Sequence, residues 1–191
     1  MYYYLMAQLP HLIYEQKPPM SSEEFKALSE SLLSKKDVSL MKNLKLDPSP
    51  TEDEADGGKV RSTGCSFIDN WRKWEKDLRL ILAKNRAVHL KWDINISEPA
   101  DFHNDLAVTG LKAIDENSPL DGEIILDKTR WYAIEDMAGN DYFHRNNVFA
   151  YFLKLLLLER RQAFNVEKGF SEYKSLYASI LESAHSLGEP K

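Results

Sequence analysis

The stretch from Val148 to Leu158 constrains the fold more than any other part of the chain. It reads VFAYFLKLLLL, and its only charged residue is Lys154. Apolar side chains lie on every side of a helix built from it, so that helix must be central and buried. Its length of about eleven residues is too short to cross a membrane, which takes roughly twenty. We therefore predict a buried central helix and no direct membrane insertion.

Start and stop signals predict several of the other helices. Ser21 and Glu24 have the spacing of a capping box, which predicts a helix over about 22–35. Asp37 is expected to cap the shorter helix that follows. Further along, Ser118-Pro119 is typical of a helix start, and Gly139 is typical of the end of that helix.

Two further segments carry an apolar stripe at helical spacing. The first stripe comprises Phe67, Trp71, Trp74, Leu78, Ile81 or Leu82, Asn85 and Val88. The second comprises Phe170, Tyr173, Leu176, Tyr177, Ile180 and Leu181. Together these patterns predict a mainly α protein, a multi-helix bundle, with a helix content far above the average of about one third.

Residues 47–64 interrupt the helical pattern. The segment contains prolines, a Gly57-Gly58 pair, an acidic run and almost no large apolar side chain. We expect a solvated acidic loop there. It would lie within a single helical domain that comprises residues 1–191.

A strand remains an alternative for two segments. The N-terminal stretch to Tyr14 is rich in aromatic residues, which favour strands, although a buried helical turn also fits it. Over 88–96, apolar and polar residues alternate, which is typical of a short strand. The apolar positions are Val88, Leu90, Trp92, Ile94 and Ile96. One expectation is therefore a short two-stranded pairing of the N-terminus with residues 88–96.

Composition narrows the classes of function. The chain has 25 Lys and Arg against 30 Asp and Glu, so its net charge of −5 disfavours nucleic acid as a partner. A single cysteine, Cys65, excludes an intramolecular disulfide and a zinc site with several cysteines. The start of the chain lacks the basic region of a signal peptide and is interrupted by Pro10. We expect a cytoplasmic protein.

The sequence contains only incomplete motifs for nucleotide binding and for metal binding. Gly57-Gly58-Lys59 lacks the glycine spacing and the following Ser or Thr of a phosphate-binding loop. Glu182 and His185 have the spacing of one ligand pair of a di-iron bundle, but such sites need a second pair and two more carboxylates. We expect no cofactor, no metal, no small-molecule substrate and no enzymatic activity. The rival hypothesis is an enzyme that uses His103, His144 or the Glu182/His185 pair.

Charges on otherwise apolar helices are the most informative polar residues. Glu75 and Arg79 can pair at i,i+4, and Asp127 and Arg130 lie beside Trp131. One interpretation is a set of interhelical salt bridges, with arginine stems lying over tryptophan rings. The other is that some of these arginines face a protein partner.

Several segments taken together resemble a known family. They are YYYLMAQLP at 2–10, PP at 18–19, SEEF at 22–25, the helix from Trp74 to Ala87, Pro119 to Trp131, and Phe149 to Arg160. The family that they resemble is an uncharacterised bacterial one, typically encoded among the genes of V-type (A/V-type) ATP synthases. The last segment is also similar to the tyrosine-containing helix of the collar protein of V-type ATPases, which is designated C, or d in eukaryotes.

The resemblance implies an all-helical, non-catalytic protein. The V-type ATPase collar protein is funnel-shaped, joins the membrane rotor ring to the central stalk and binds no nucleotide. It is much longer than this chain and has three similar helical lobes. This chain would therefore correspond to part of the collar protein, replace it or assist assembly. Arg161-Gln162 departs from the bacterial family, in which an aromatic residue is expected at this point.

We therefore expect a subunit or accessory protein of a V-type ATPase, in the central stalk and peripheral at the membrane through that complex. Its partners would be stalk or rotor-ring subunits, and a stiff helical body would couple them mechanically. The alternative is a generic helical protein–protein adaptor unrelated to the ATPase. The structural or interaction candidates are Tyr3, Tyr4, Trp71, Trp74, Glu75, Arg79, Arg86, Asp127, Arg130, Trp131, Tyr151, Glu159 and Arg160.

Overall fold

A computed structural model describes residues 2–46, 62–93, 104–164 and 166–187. The helices of these residues are α1 Tyr2–Gln8, α2 Ser22–Leu32, α3 Lys35–Lys42, α4 Ser66–His89, α5 Asn104–Asp115, α6 Pro119–Ala138, α7 Arg145–Ala163 and α8 Val166–Leu187. The described residues contain no strand, so the mainly α prediction is confirmed. Most of the predicted 47–64 loop lies outside the described residues.

The chain divides into two compact units, Met1–Glu159 and Arg160–Lys191. We call them the N-terminal unit and the C-terminal unit. The single-domain assignment of residues 1–191 stays a prediction. Within the helices, side chains are described except at 104, 166–168 and 182–187.

The strand alternative is wrong for the N-terminus, because residues 2–8 form helix α1. Leu5 is completely buried among the residues of the largest apolar cluster, and that packing overrides the strand preference of the tyrosines. Val88 belongs to α4 rather than to a strand, and its side chain is exposed, contrary to its predicted place on the buried stripe. Ile94 and Ile96 lie outside the described residues.

Local capping signals set the helix starts as the sequence predicts, with one correction. Ser21 and Glu24 form the predicted reciprocal capping box of α2. Ser118 caps α6 with Pro119 in its first turn, and Gly139 ends that helix with a positive φ of 73°. The cap of α3 is Ser34, however, and Asp37 lies inside the first turn, where its backbone N–H donates to the Ser34 hydroxyl.

Helix α7 is the buried helix that the sequence predicts. Nine of its side chains are buried, and all of them belong to the largest apolar cluster of the described residues. Phe149 stacks near Phe67 of α4, and Phe152 stacks near Phe25 of α2. The first half of α4 and the end of α6 complete the same cluster through Trp71, Trp131 and other members. This cluster forms the body of the N-terminal unit.

A second, smaller apolar cluster lies between α4, α5 and α6. Its buried members are Leu78, Ile81, Leu82, Leu106 and Leu126. Helix α5 packs on both α4 and α6, and each contact includes a glycine. A Cβ at Gly110 would lie 3.1 Å from the Ile81 side chain, and one at Gly122 would lie 2.4 Å from the backbone oxygen of Ala113. Gly122 therefore allows α5 and α6 to approach closely.

Gly122→Ala should destabilise the N-terminal unit. The new methyl group has no room beside the Ala113 carbonyl, so α5 and α6 must separate, at a cost of about 1–3 kcal/mol. The free energy of unfolding, measured by urea denaturation with circular dichroism, checks this. Gly169→Ala is the matched control, since nothing lies within 4 Å of a Cβ there. An equal effect of both substitutions would contradict the close approach.

Candidate interaction surface

A buried ion-pair cluster joins α4 to α6. Arg130 binds both carboxylate oxygens of Glu75, at 3.0 Å from Nε to Oε2 and 3.1 Å from Nη2 to Oε1. Its Nη1 donates to Asp127 at 2.9 Å, and Nε of Arg79 donates to Glu75 at 3.1 Å. Glu75, Asp127 and Arg130 are buried, and Arg79 is half-buried. Four predicted residues therefore meet, and the salt-bridge interpretation holds for them.

The charges in this cluster compensate one another. Burial by itself would lower the pKa of Arg130, but the attraction and hydrogen bonds of Glu75, followed by those of Asp127, raise the pKa instead. The guanidinium therefore stays protonated, and its planar fork matches the Glu75 carboxylate in two parallel bonds. The cluster joins α4 to α6, and Arg130 is buried in it rather than available to a partner at the surface.

The cluster lies between the two apolar clusters along both helices. On α4, Glu75 follows Trp71 of the larger cluster and precedes Leu78 of the smaller one. On α6, Arg130 follows Leu126 of the smaller cluster and precedes Trp131 of the larger one. The half-buried Trp74 packs against both clusters. The ion pairs thus join the two apolar regions of the N-terminal unit.

Breaking this cluster from one side should destabilise the protein strongly. Arg130→Met removes the guanidinium between the two buried carboxylates, and Glu75→Gln leaves Arg130 with one carboxylate in place of two. Each substitution should cost about 3–5 kcal/mol in the free energy of unfolding. The double variant should lose less than the sum of the two single losses, because both single substitutions already remove the same contact between Glu75 and Arg130. Urea denaturation of the four proteins measures the cycle.

An exposed pair provides the control for this cycle. Lys42 and Glu30 approach to 2.6 Å, but both side chains are about half exposed to water. Substituting either by Ala should change stability by no more than about 1 kcal/mol. Strict additivity at Glu75 and Arg130 would show that their contact does not couple the two helices energetically.

Two of the predicted tryptophans, Trp71 and Trp131, are core residues, and Trp74 is half-buried. Trp71 is fully buried, stacks on Trp74 at 5.6 Å between ring centroids, and donates from Nε1 to the Lys45 carbonyl. Trp131 is also buried and packs against Tyr14. The Nζ of Lys154 lies 4.7 Å from the centre of the Trp131 ring. The cation over the Trp131 ring is therefore a lysine, whereas the sequence suggested an arginine.

Tyr151 ties the central helix to the N-terminal segment. Its hydroxyl donates to the backbone oxygen of Pro10 at 3.0 Å, and its ring stacks on Phe25. Desolvation by burial raises the pKa of Tyr151 to about 12. The neutral hydroxyl is therefore the form that the fold favours.

Tyr151 should make the free energy of unfolding depend on pH in the alkaline range. The pKa is about 12 in the fold against an ordinary 10, so its stabilising contribution is complete below pH 10 and is lost as the pH rises towards 12. Tyr151→Phe should remove this part of the decline in the free energy of unfolding. At neutral pH the variant should also lose about 1 kcal/mol with the bond to Pro10.

The measurements are urea denaturation from pH 7 to 11.5 and titration of tyrosinate absorbance. Tyr132→Phe is the control, because Tyr132 is exposed. If the stability of wild type and Tyr151→Phe declines equally above pH 10, the raised pKa is contradicted.

Exposed aromatic rings meet where α1 adjoins the α6–α7 connection. Tyr3 lies edge-on to Tyr4 and 4.6 Å from Phe143 between ring centroids. The exposed fractions are 58% for Tyr3, 68% for Tyr4, 47% for Phe143 and 73% for Tyr142. We call these four residues the aromatic patch. Two of them were predicted; Tyr142 and Phe143 were missed because they lie in a connection without a periodic pattern.

A cleft of about 480 Å³ borders the aromatic patch, with Tyr142 in its wall. Met6, Leu9 and Ala150 give it an apolar side. Glu135 and Lys154, which form an ion pair at 3.0 Å, give it a polar side. The patch and the cleft form one continuous surface, with room for an apolar side chain of a partner.

The other predicted charges lie apart from this surface and from the ion-pair cluster. Glu159 is half-buried and accepts from the Ser22 backbone N–H at 2.6 Å, which holds the start of α2. Arg86 is exposed. Arg160 lies over the Phe164 ring in the C-terminal unit.

Sequence reasoning missed the partners of Asp37. The Tyr2 hydroxyl donates to this buried carboxylate at 2.8 Å, and Arg145 approaches it to 3.7 Å. Burial and then the bond to Asp37 raise the pKa of Tyr2. No local signal links Tyr2 to Asp37, because 35 residues separate them.

Of the residues proposed for an enzyme, His144 is the one whose side chain lies in the described part of the chain. His144 is exposed, and its Nδ1 accepts from the Asn146 backbone N–H. His103 and the side chains of Glu182 and His185 lie outside the described part. Among the described side chains, no three His, Cys, Asp or Glu residues are grouped so that they could hold a metal ion. No described helix combines the length and the apolar character that a membrane span requires.

Comparison with known proteins gives one finding. The model of a family described as "Protein of unknown function (DUF2764)" matches residues 100–183. The match includes α5, α6, α7 and most of α8. The searches of curated proteins and of solved structures found no match.

Proposed function

We propose that the protein is a non-catalytic helical subunit or accessory factor of a V-type ATPase. It would serve as a coupling element of the central stalk, similar to part of the collar protein, and bind stalk or rotor-ring subunits. It would then be cytoplasmic and peripheral at the membrane through that complex. The resemblance of the N-terminal and central segments supports this proposal, as does the all-helical character of the described residues.

The observation that carries the binding function is the aromatic patch with its adjoining cleft. Large exposed aromatic side chains are enriched in protein–protein interfaces, because they bury much area at little cost in side-chain entropy. Tyr3 and Tyr4 lie on a helix that Leu5 anchors in the core and that Tyr2 fastens to Asp37. A partner would therefore meet rings that are already held in place, which lowers the entropic cost of binding.

The ion-pair cluster supports the mechanical part of the proposal. An element that transmits force between two partners must resist sliding of its helices past one another. The bonds of Arg130 to Glu75 and Asp127 oppose such a slide, since any displacement leaves buried charges unpaired. The same bonds would also suit a rigid adaptor outside the ATPase, which is the alternative that the capture experiment distinguishes.

The test is affinity capture of the tagged full-length protein from detergent extracts of its host's membranes, with mass spectrometry. Wild type should recover ATPase stalk or ring subunits. Replacing Tyr3 and Tyr4 together by Ser should reduce that recovery by at least about tenfold, because two central rings contribute roughly 2 kcal/mol or more. Tyr132→Ser, which changes an exposed tyrosine of α6, is the matched control and should bind as wild type does.

Each other outcome has a definite meaning. Recovery of an unrelated protein in place of ATPase subunits, sensitive to the Tyr3/Tyr4 change, would assign the protein to the generic-adaptor alternative. Recovery of the ATPase that is equal for all variants would keep the complex but remove the aromatic patch from the interface. Absence of ATPase subunits from every capture would overturn the proposal.

A further inference from the structure

Helix α8 displays a second apolar surface, in the C-terminal unit. Six large apolar side chains of its described part are between 42% and 66% exposed: Phe170, Tyr173, Leu176, Tyr177, Ile180 and Leu181. Tyr173 stacks on Tyr177 at 6.1 Å between ring centroids. Isolated exposed apolar residues are ordinary, but a continuous row of six along one helix marks a binding surface. We call this row the α8 stripe.

The spacing of the α8 stripe is that of a coiled coil. Phe170, Tyr173, Tyr177 and Ile180 are separated by three, four and three residues, which is the a and d pattern of a heptad repeat. Leu176 then occupies position g, and Leu181 occupies position e. The sequence continues the a and d spacing in both directions, with Val166, Ala184 and Leu187.

We propose that the α8 stripe binds the α8 stripe of a second copy of this chain, as a parallel two-stranded coiled coil. In a parallel pair, position g of one helix lies beside position e of the next heptad on the other helix. Leu176 would therefore lie beside Leu181 of the second copy, and the four a and d residues would meet their own counterparts. Every apolar member of the stripe is then covered, including both flanking leucines.

The charged flank supports the parallel orientation. An antiparallel pair places e positions together, which can bring Lys174 of the two copies close to each other. In the parallel pair, Lys174 lies opposite position g, where the residue is the uncharged Gly169. Within one helix, Lys174 already lies 4.5 Å above the Phe170 ring, so its charge can remain at the edge of the seam.

The polar face argues against a lipid surface as the occupant. Helices that bind anionic membranes usually carry many Lys and Arg residues opposite the apolar face. Here the polar positions include Ser171, Ser175 and Ser179, and α8 as a whole has two lysines and no arginine against three glutamates. A matching helix explains the heptad spacing, whereas a bilayer does not require it.

The available area suits a dimer. The three aromatic side chains bury about 150–250 Å² each when fully covered, so their exposed parts give roughly 250–450 Å² per copy. With the three aliphatic members and the second copy included, the buried total is on the order of 1,000 Å², which is about the lower limit of a specific interface. The inference does not rest on the ATPase proposal.

The first experiment measures the mass of the full-length protein by light scattering and sedimentation equilibrium. Wild type should have twice the 22.1 kDa mass of one chain. Ile180→Glu should be monomeric, with a dissociation constant at least roughly tenfold higher, because two carboxylates would face each other in the apolar seam. Ser175→Glu, at position f outside the seam, is the matched control and should remain dimeric.

A second measurement on the same variants tests whether the N-terminal unit is still folded. All four tryptophans lie within residues 1–159. The melting curve followed by tryptophan fluorescence should therefore be the same for wild type, Ile180→Glu and Ser175→Glu. This separates loss of pairing from unfolding of the N-terminal unit.

A second experiment tests the orientation. Ile180→Cys in a Cys65→Ser background should form a disulfide-linked dimer under mild oxidation, because equal d positions adjoin in a parallel pair. Ser175→Cys in the same background should cross-link far more slowly. A dimer in which Ile180→Cys does not cross-link overturns the parallel arrangement.

Three further results would overturn the proposal. The first is a monomeric wild type at all accessible concentrations. The second is a dimer that persists in Ile180→Glu, which would place the interface elsewhere. The third is a monomer that floats with phosphatidylcholine vesicles and loses this binding in Ile180→Glu, which would assign the α8 stripe to a lipid surface.

Discussion

The shared guanidinium of Arg130 sets the strictest requirement on the N-terminal unit. Two carboxylates and the guanidinium of Arg130 leave water together there, and each buried ion costs several kcal/mol unless its lone pairs and protons are matched. Helices α4 and α6 must therefore keep a single register, because a shift of one turn, about 5.4 Å, separates Glu75 from Arg130. Apolar contacts are non-directional and would tolerate other registers. The ion pairs thus specify the arrangement, whereas the apolar clusters provide most of its stability.

The arrangement around these ion pairs has consequences for the surface. The larger apolar cluster buries Leu5 and so holds α1 in the N-terminal unit. Tyr151 fixes the segment after α1 through the Pro10 carbonyl. Tyr3 and Tyr4 of the aromatic patch consequently lie on a helix that is held by Leu5 and by the segment that follows it. An interface formed from such rings loses little conformational freedom on binding, which favours affinity for a given area.

Local signals predicted much of the fold, because they act over a few residues. The Ser21–Glu24 box, the Ser118 cap and the Gly139 end are all satisfied within one helical turn. The burial of α7 and the i,i+4 pairing of Glu75 with Arg79 could also be predicted, because both depend on residues that are close in the sequence. The N-terminal strand failed as a prediction because aromatic residues fit both structures, and burial of Leu5 decides between them. The candidate site was harder to predict, because its contacts join distant residues: Glu75 and Arg130 were both candidates, but 55 residues separate them, and nothing in the spacing indicates that they pair.

The α8 stripe presents a different physical situation from the aromatic patch. Helix α8 includes Gly169, five serines and three aromatic residues, which have a lower intrinsic helix propensity than its Ala, Leu, Glu and Lys residues. A helix of this composition gains most of its stability from packing of its apolar face. Folding of α8 and coverage of its stripe are therefore linked, since a ligand that binds only the helical form stabilises it by mass action. A second copy is the occupant that is present whenever the protein itself is present, and its effect on α8 rises with protein concentration.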